Sequence, residues 1–223
     1  MTPTEAPTGP AENDVQRGLL LPPWHSRILD DGTDRERWLA ARANAVIGAS
    51  DAAGYVKASS IEAYTAAKLK PSSFHGNAFT EAGHEWEPRL LASCGLQQST
   101  VLIHAPGEMG FGATPDAMKS TPGGLILGEA KVKHNKIVHG PTPREFRQVA
   151  WQMFCADWDR VLYTEFVWGE VVNGELRNGA IEPKHLRIFP KDVEHLLQPM
   201  IDIATPVLAR VRAALKFAKE LEL

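Results

Sequence analysis

The chain has 223 residues, a mass of 24.5 kDa, a formal net charge of −3 and a hydrophobic fraction of 43%. That suffices for one well-buried core, while no apolar run approaches the ~18 residues needed to span a bilayer. The opening MTPTEAPTGPAEND has neither a basic start nor a hydrophobic stretch, so it lacks a secretory pattern, and the two cysteines, Cys94 and Cys155, form no CxxC pair and argue against an iron–sulfur cluster.

Residues 1–22, rich in Pro, Thr, Gly and Ala toward their start, read as a disordered lead, and 23–223 as a single domain. Thr33 or Asp34 can cap a helix over DRERWLAARANAV, and Ser50 can cap a second over SDAAGYV. A third helix is expected from Ile61 to Leu69, stopped by Pro71. A fourth is expected from about Asn77 to Cys94, with Phe79, Gly83, Trp86, Leu90 and Cys94 as its apolar stripe. Strands follow at Val101–Ala105, Gly110–Thr114 and Gly124–Lys133, with Pro106–Gly107 and Pro122–Gly123–Gly124 as turns. A Pro-bounded loop at Pro141–Pro143 leads into a helix over REFRQVAWQMFCADW. Arg160–Gly169 reads as strand and Asn173–Gly174 as a hairpin turn. A helical tail from Pro190 is expected to break near Pro206. The order implies an α/β fold with one central mixed or antiparallel sheet flanked by helices.

The chemistry concentrates in Thr114–Pro115–Asp116 and Glu129–Ala130–Lys131. Strand alternation puts Leu125, Leu127, Glu129 and Lys131 on one face, so the strand runs from core into something polar. If the preceding strand folds back through the Pro–Gly–Gly turn, Asp116 approaches Glu129. Two carboxylates and the backbone carbonyl of Ala130 then make an oxygen cage suited to Mg²⁺, with Mn²⁺ as a substitute. Lys131 beside it can orient water and stabilise charge building on a phosphate. From Lys131 to Arg147, five basic residues (Lys131, Lys133, Lys136, Arg144 and Arg147) face a single acid, Glu145. Lys133, Lys136 and Arg144 are therefore candidate DNA contacts.

Four blocks in order, RANAVIGASDAAGYV, GHEWEPRLLAS, GATPDAMKS with LGEAKVK, and REFRQVAWQMFCADW, resemble the YqaJ/lambda-exonuclease family of phage recombinases within the PD-(D/E)XK nucleases. They span roughly Trp38 to Phe166. The resemblance implies a restriction-endonuclease-like core in which Asp116 and Glu129 are metal ligands and Lys131 is catalytic. The family's helix acid follows a glycine by four residues, which selects Glu87 as a further ligand; Glu85 instead faces solvent. Arg42 and Ser50 match residues that hold a terminal 5′-phosphate, with Thr114 near them. Physics agrees for Ser50, because a helix N-terminus attracts anions, and for Arg42, because guanidinium pairs with phosphate through two bonds. Gln148 begins the family's glutamine-bearing helix, and with Arg144, Trp151 and Gln152 makes a polar-aromatic face able to meet water or nucleic acid; the family's second glutamine is here Ala150.

The resemblance further implies one or two ions, 5′-to-3′ digestion of duplex DNA ends, and a 3′ single strand passed to a phage annealing protein. It also implies a homo-oligomer, a ring-shaped trimer being common in the family, in the cytoplasm of a bacterial host. Two rivals remain: an endonuclease or repair-complex nuclease subunit of the same fold, and a DNA-binding module without catalysis. The intact Asp116, Glu129 and Lys131 set disfavours the second.

Overall fold

The computed structural model describes residues 23–43, 47–70, 78–134, 138–172, 175–176 and 184–221. The expected lead at 1–22, Pro71, Lys136 and the Asn173–Gly174 turn lie outside the described residues. Strands β1 (Ile28–Asp30), β2 (Leu102–Ala105) and β3 (Glu108–Ala113) form one antiparallel sheet. A second sheet contains β4 (Ala117–Thr121), β5 (Gly124–His134), β6 (Val161–Val172), β7 (Glu175–Leu176) and β8 (Lys184–Ile188). This corrects the expectation of a single sheet. Its strand partner for β5 is also not the predicted Gly110–Thr114 segment, which pairs back onto β2, but the short β4 that follows Asp116. Gly110 and Gly112 lie in β3, whose neighbour β2 matches it in apolar burial, and the sequence pattern does not mark where one sheet ends and the next begins.

The second sheet is mixed. β4 and β5 form an antiparallel hairpin from Ala117↔Gly128 to Thr121↔Gly124, whereas β5 and β6 run parallel. A parallel pair needs a crossover, and here it is helix α5, defined below with the other helices.

Six α-helices surround these sheets: α1 (Arg35–Ala43), α2 (Ala49–Ala52), α3 (Ile61–Leu69), α4 (Ala78–Ser93), α5 (Pro143–Ala156) and α6 (Pro190–Leu221), counted among the described residues. Of the two candidate caps for α1, Asp34 acts, its Oδ1 accepting the Arg37 N–H at 2.9 Å. Ser50 does not cap α2: the N-cap is Gly48, whose N–H donates to the Asp51 carboxylate at 3.0 Å. The reason is Ile47, fully buried and bridged to β3 by hydrogen bonds with Gly110 and Gly112, which fixes the helix start two residues before Ser50. Pro143 is the first residue of α5 rather than loop. Thr142 caps that helix in a capping box with Glu145, whose carboxylate accepts the Thr142 N–H at 2.8 Å.

Helix α6 runs through both Pro199 and Pro206 without the expected break. Buried residues lie on both sides of the prolines, from Val193 to Val211, so packing against the main core holds the helix despite the lost backbone bonds. Among the described residues no helix is long and apolar enough to cross a membrane.

The two faces of the mixed sheet carry separate cores. Leu125, Leu127, Phe166 and Trp168 join α5 and α6 residues such as Val149, Met153 and Leu208 in the larger cluster. On the other face Ala117, Ala130 and Val167 meet Leu90 and Leu91 of α4. Gly128 belongs to this second face. A Cβ there would stand 2.8 Å from the Ala117 Cβ and 2.9 Å and 3.0 Å from methyls of Leu96 and Leu91. Because the neighbouring Cβ belongs to a paired strand and cannot swing away, Gly128→Val is expected to destabilise the fold by ~1–3 kcal/mol, seen as a lowered urea midpoint at unchanged slope.

Candidate active site

Strand β4 begins at Ala117, opposite Gly128, so the edge of β5 beyond Gly128 has no partner from β4. Asp116 sits at that point, on the Thr114–Pro115–Asp116 link between the two sheets. Its Oδ2 accepts the Ala130 N–H at 2.8 Å. Backbone alternation turns the Ala130 C=O to the same edge as its N–H, toward the space that β4 has vacated. The hairpin therefore does bring Asp116 beside Glu129, as expected, although through a strand that was not foreseen.

Glu129 is completely buried. Its carboxylate is saturated with donors. Oε1 accepts from Lys131 Nζ and from Gln148 Nε2 at 2.6 Å, and Oε2 accepts from Gln152 Nε2 at 2.6 Å. The two glutamines stand one helical turn apart on α5, which the β5–α5–β6 crossover lays over this face of the sheet. Glu87 is half-buried on α4 and lines the same cleft, whereas Glu85 is exposed, as its helical position predicts.

Electrostatics marks the group as one unit. Burial, then the nearby Glu129 carboxylate, push the Asp116 carboxyl well above the usual range; Glu87 adds to this, and Lys131 and the Ala130 N–H offset only part. Burial works to strip the Lys131 ammonium of its proton, but Glu129, Asp116 and Glu87 outweigh it, and its pKa is raised. The carboxylates of Glu129, Asp116 and Glu87 thus all bear on the Lys131 ammonium. Among the described residues Asp116 Oδ1 accepts no hydrogen bond. A donor set of carboxylate oxygens, one of them free of hydrogen bonds among the described residues, beside the Ala130 carbonyl fits a hard divalent cation.

The cleft beside this group has a volume of about 380 Å³. Its walls include all three residues assigned to phosphate, Arg42, Ser50 and Thr114, together with Glu87, Asp116, Gln148 and Gln152. Arg42 lies over the Trp38 ring, 4.8 Å from its centroid, and its Nη2 lies 3.1 Å from where a Cβ on Gly48 would stand. Glycine at 48 is thus what lets the guanidinium approach the start of α2. Neither Arg42 nor Arg35, which also lines the cleft, forms an ion pair among the described residues.

Other expectations fare differently. Lys133 pairs with Glu145, and Arg144, though exposed, donates to the Ser50 carbonyl at 2.9 Å. Arg147 donates to the Ala53 carbonyl at 2.7 Å. The basic run is thus spent largely inside the fold rather than forming an open patch, and Lys136 lies outside the described residues. Trp151 does not share an outward polar face: it is fully buried, donates to the Gly112 carbonyl at 3.2 Å and meets Phe111 edge-on. That side of α5 looks onto the sheets, so its glutamines reach Glu129 instead of solvent. Gln152 was read only as part of that surface; its spacing of four from Gln148 is the signal that ties it to the site.

Helices on both faces of a mixed sheet, with an acidic cleft at one strand edge, give this chain an α/β fold of exonuclease type. The alkaline exonuclease LHK-Exo from Laribacter hongkongensis superposes with a TM-score of 0.59 at 22% identity, covering 84% of this chain and 97% of that one. LHK-Exo in complex with dAMP gives a TM-score of 0.56 at 19% identity, covering 83% and 99%. No family model and no curated protein sequence matches the chain.

The raised pKa of Asp116 makes a stability prediction. A carboxyl with a folded pKa above its unfolded value favours the fold when protonated. Its contribution is therefore complete below the ordinary carboxylate range and is lost as pH rises through the raised value. Without divalent ions the protein should lose stability over that window. Asp116→Asn should remove the loss and raise stability at neutral pH by ~0.5–2 kcal/mol, measured by thermal unfolding in a chelator.

Proposed function

We propose that this chain is a divalent-metal-dependent DNA exonuclease that digests duplex ends 5′ to 3′. The observation that carries the reading is one cleft lined by Glu87 and Asp116, which act on Glu129 and Lys131 beside it, and also by Arg42, Ser50 and Thr114. Asp116, Glu129, Glu87 and the Ala130 carbonyl would hold Mg²⁺, which supplies electrophilic stabilisation of the phosphate oxygens in phosphodiester hydrolysis. Gln148 and Gln152 fix the Glu129 carboxylate in one orientation through its two oxygens. Lys131 Nζ keeps its proton and holds positive charge where the attacked phosphate would build negative charge. Arg42 and Ser50 would grip the terminal 5′-phosphate, setting the scissile bond against the acidic end.

The alkaline exonuclease with the same fold has been captured with dAMP, which supports a cleft scaled to a nucleotide. The sequence blocks shared with phage recombinases extend the reading to a 3′ single strand handed to an annealing protein, and to a homo-oligomer such as a ring-shaped trimer.

Linear duplex DNA with 5′-phosphate ends should be degraded in Mg²⁺ or Mn²⁺, while covalently closed circles stay intact. Cutting of circles would point to an endonuclease instead. Arg42→Ala should reduce the preference for 5′-phosphate over 5′-hydroxyl ends by ~10–100-fold, the worth of one charge-assisted phosphate contact, with metal dependence unchanged. Equal rates on both ends in the unmutated protein would remove the phosphate wall from the mechanism.

A further inference from the structure

Three potential metal ligands meet on the face of the mixed sheet opposite Glu129. Cys94, just past the end of α4, Glu165 on β6 and His185 on β8 bring a sulfur, a carboxylate oxygen and a ring nitrogen within 4.8 Å of one another. Glu165 is the register partner of Gly128, and it therefore points to the α4 side, away from the α5 glutamines. None of the three lines the cleft described above.

Glu165 is buried, only 4% exposed, and its two oxygens have separate partners. Arg187 Nε holds Oε2 at 3.0 Å, and His185 Nδ1 lies 2.8 Å from Oε1. The arginine orients the carboxylate and leaves Oε1 facing the histidine and the thiol. Tetrahedral ligands at ~2.0–2.3 Å from an ion stand about 3.3–3.8 Å apart. Reaching that spacing requires the Oε1–Nδ1 pair, 2.8 Å apart, to open slightly, and His185, more than half exposed, is free to adjust. Its exposure also leaves room for water as a fourth ligand.

We propose that Cys94, Glu165 and His185 bind a borderline-soft divalent ion of the Zn²⁺ class, tying the end of α4 to β6 and β8. On binding, the Cys94 thiol releases its proton to solvent and its thiolate, the His185 nitrogen and Glu165 Oε1 donate to the ion. Nitrogen and sulfur donors separate this site from the all-oxygen set at Asp116, which suits Mg²⁺. Its effect is mechanical: α4 carries Glu87 two turns earlier, so the clamp fixes the helix that supplies one wall of the cleft. The inference stands independently of the nuclease reading.

The test uses the full-length chain in a non-chelating phosphine reductant, titrated with Co²⁺ as a coloured stand-in for Zn²⁺. A near-ultraviolet thiolate-to-cobalt band should grow to saturation at about one equivalent and vanish on adding Zn²⁺. It should be absent in Cys94→Ser, need at least ~10-fold more cobalt in His185→Ala, and persist in Glu129→Gln and in Cys155→Ala. Circular dichroism of each variant separates loss of a ligand from loss of fold. No such band in the folded wild type, or a band that survives Cys94→Ser, overturns the site.

Discussion

A fully buried carboxylate, Glu129, is the constraint around which the structure is arranged. Taking such a charge out of water costs several kcal/mol unless donors replace the lost hydration. Here Lys131 and the two amides of Gln148 and Gln152 do so, from the same strand and from the crossover helix. What they do not offset is Asp116, close enough for the two carboxylates to repel and for the Asp116 proton to be retained above its ordinary range. The fold therefore satisfies Glu129 as a structural group but leaves the pair as a whole short of positive charge. Such tension is typical of a site kept for binding rather than stability.

Topology delivers these groups. The chain leaves β3 in one sheet and enters β4 in the other through Thr114–Pro115–Asp116, so two cleft-lining residues, a hydroxyl and a carboxylate, flank one proline. β4 is short, and the exposed edge of β5 beyond it presents the Ala130 backbone to Asp116. Helix α5 then brings its glutamines down, and its first turn is pinned by the Thr142–Glu145 capping box and the Lys133–Glu145 pair. Arg144 in that turn and Arg147, about one turn along, donate to the Ser50 and Ala53 carbonyls and tie the α2 region to the crossover helix.

Much of this was legible from residue pattern because local signals and burial agree. The Leu125–Leu127–Glu129–Lys131 alternation put an acid and a base at the end of a core strand, and the structure has that order of burial. Ile61–Leu69 and the Asn77–Cys94 stripe gave helices close to those observed. Failures arose where tertiary contacts override local preference. Ser50 is a better intrinsic cap than Gly48, yet the bridge from Ile47 to β3 starts the helix earlier. β4 is short and only partly buried and β8 is short and largely exposed, with no periodicity strong enough to stand out. Pro206 reads as a break, but the packing of Ala204, Val207 and Leu208 carries α6 past it. The surface assignment of Trp151 failed because helical spacing identifies a shared face without saying whether that face meets solvent or sheet.

Charge placement explains how a chain with a net charge of −3 can present a cleft to a polyanion. The most basic stretch contributes little open charge, since its side chains are drawn to Glu129, to Glu145 and to backbone carbonyls. The cations that line the cleft come instead from α1, where Arg35 and Arg42 flank Trp38 at helical spacing. The same cleft is thus lined by two arginines from α1 and by the Glu87 and Asp116 carboxylates. An anionic group entering it is attracted by the arginines and repelled by the carboxylates unless a cation offsets them.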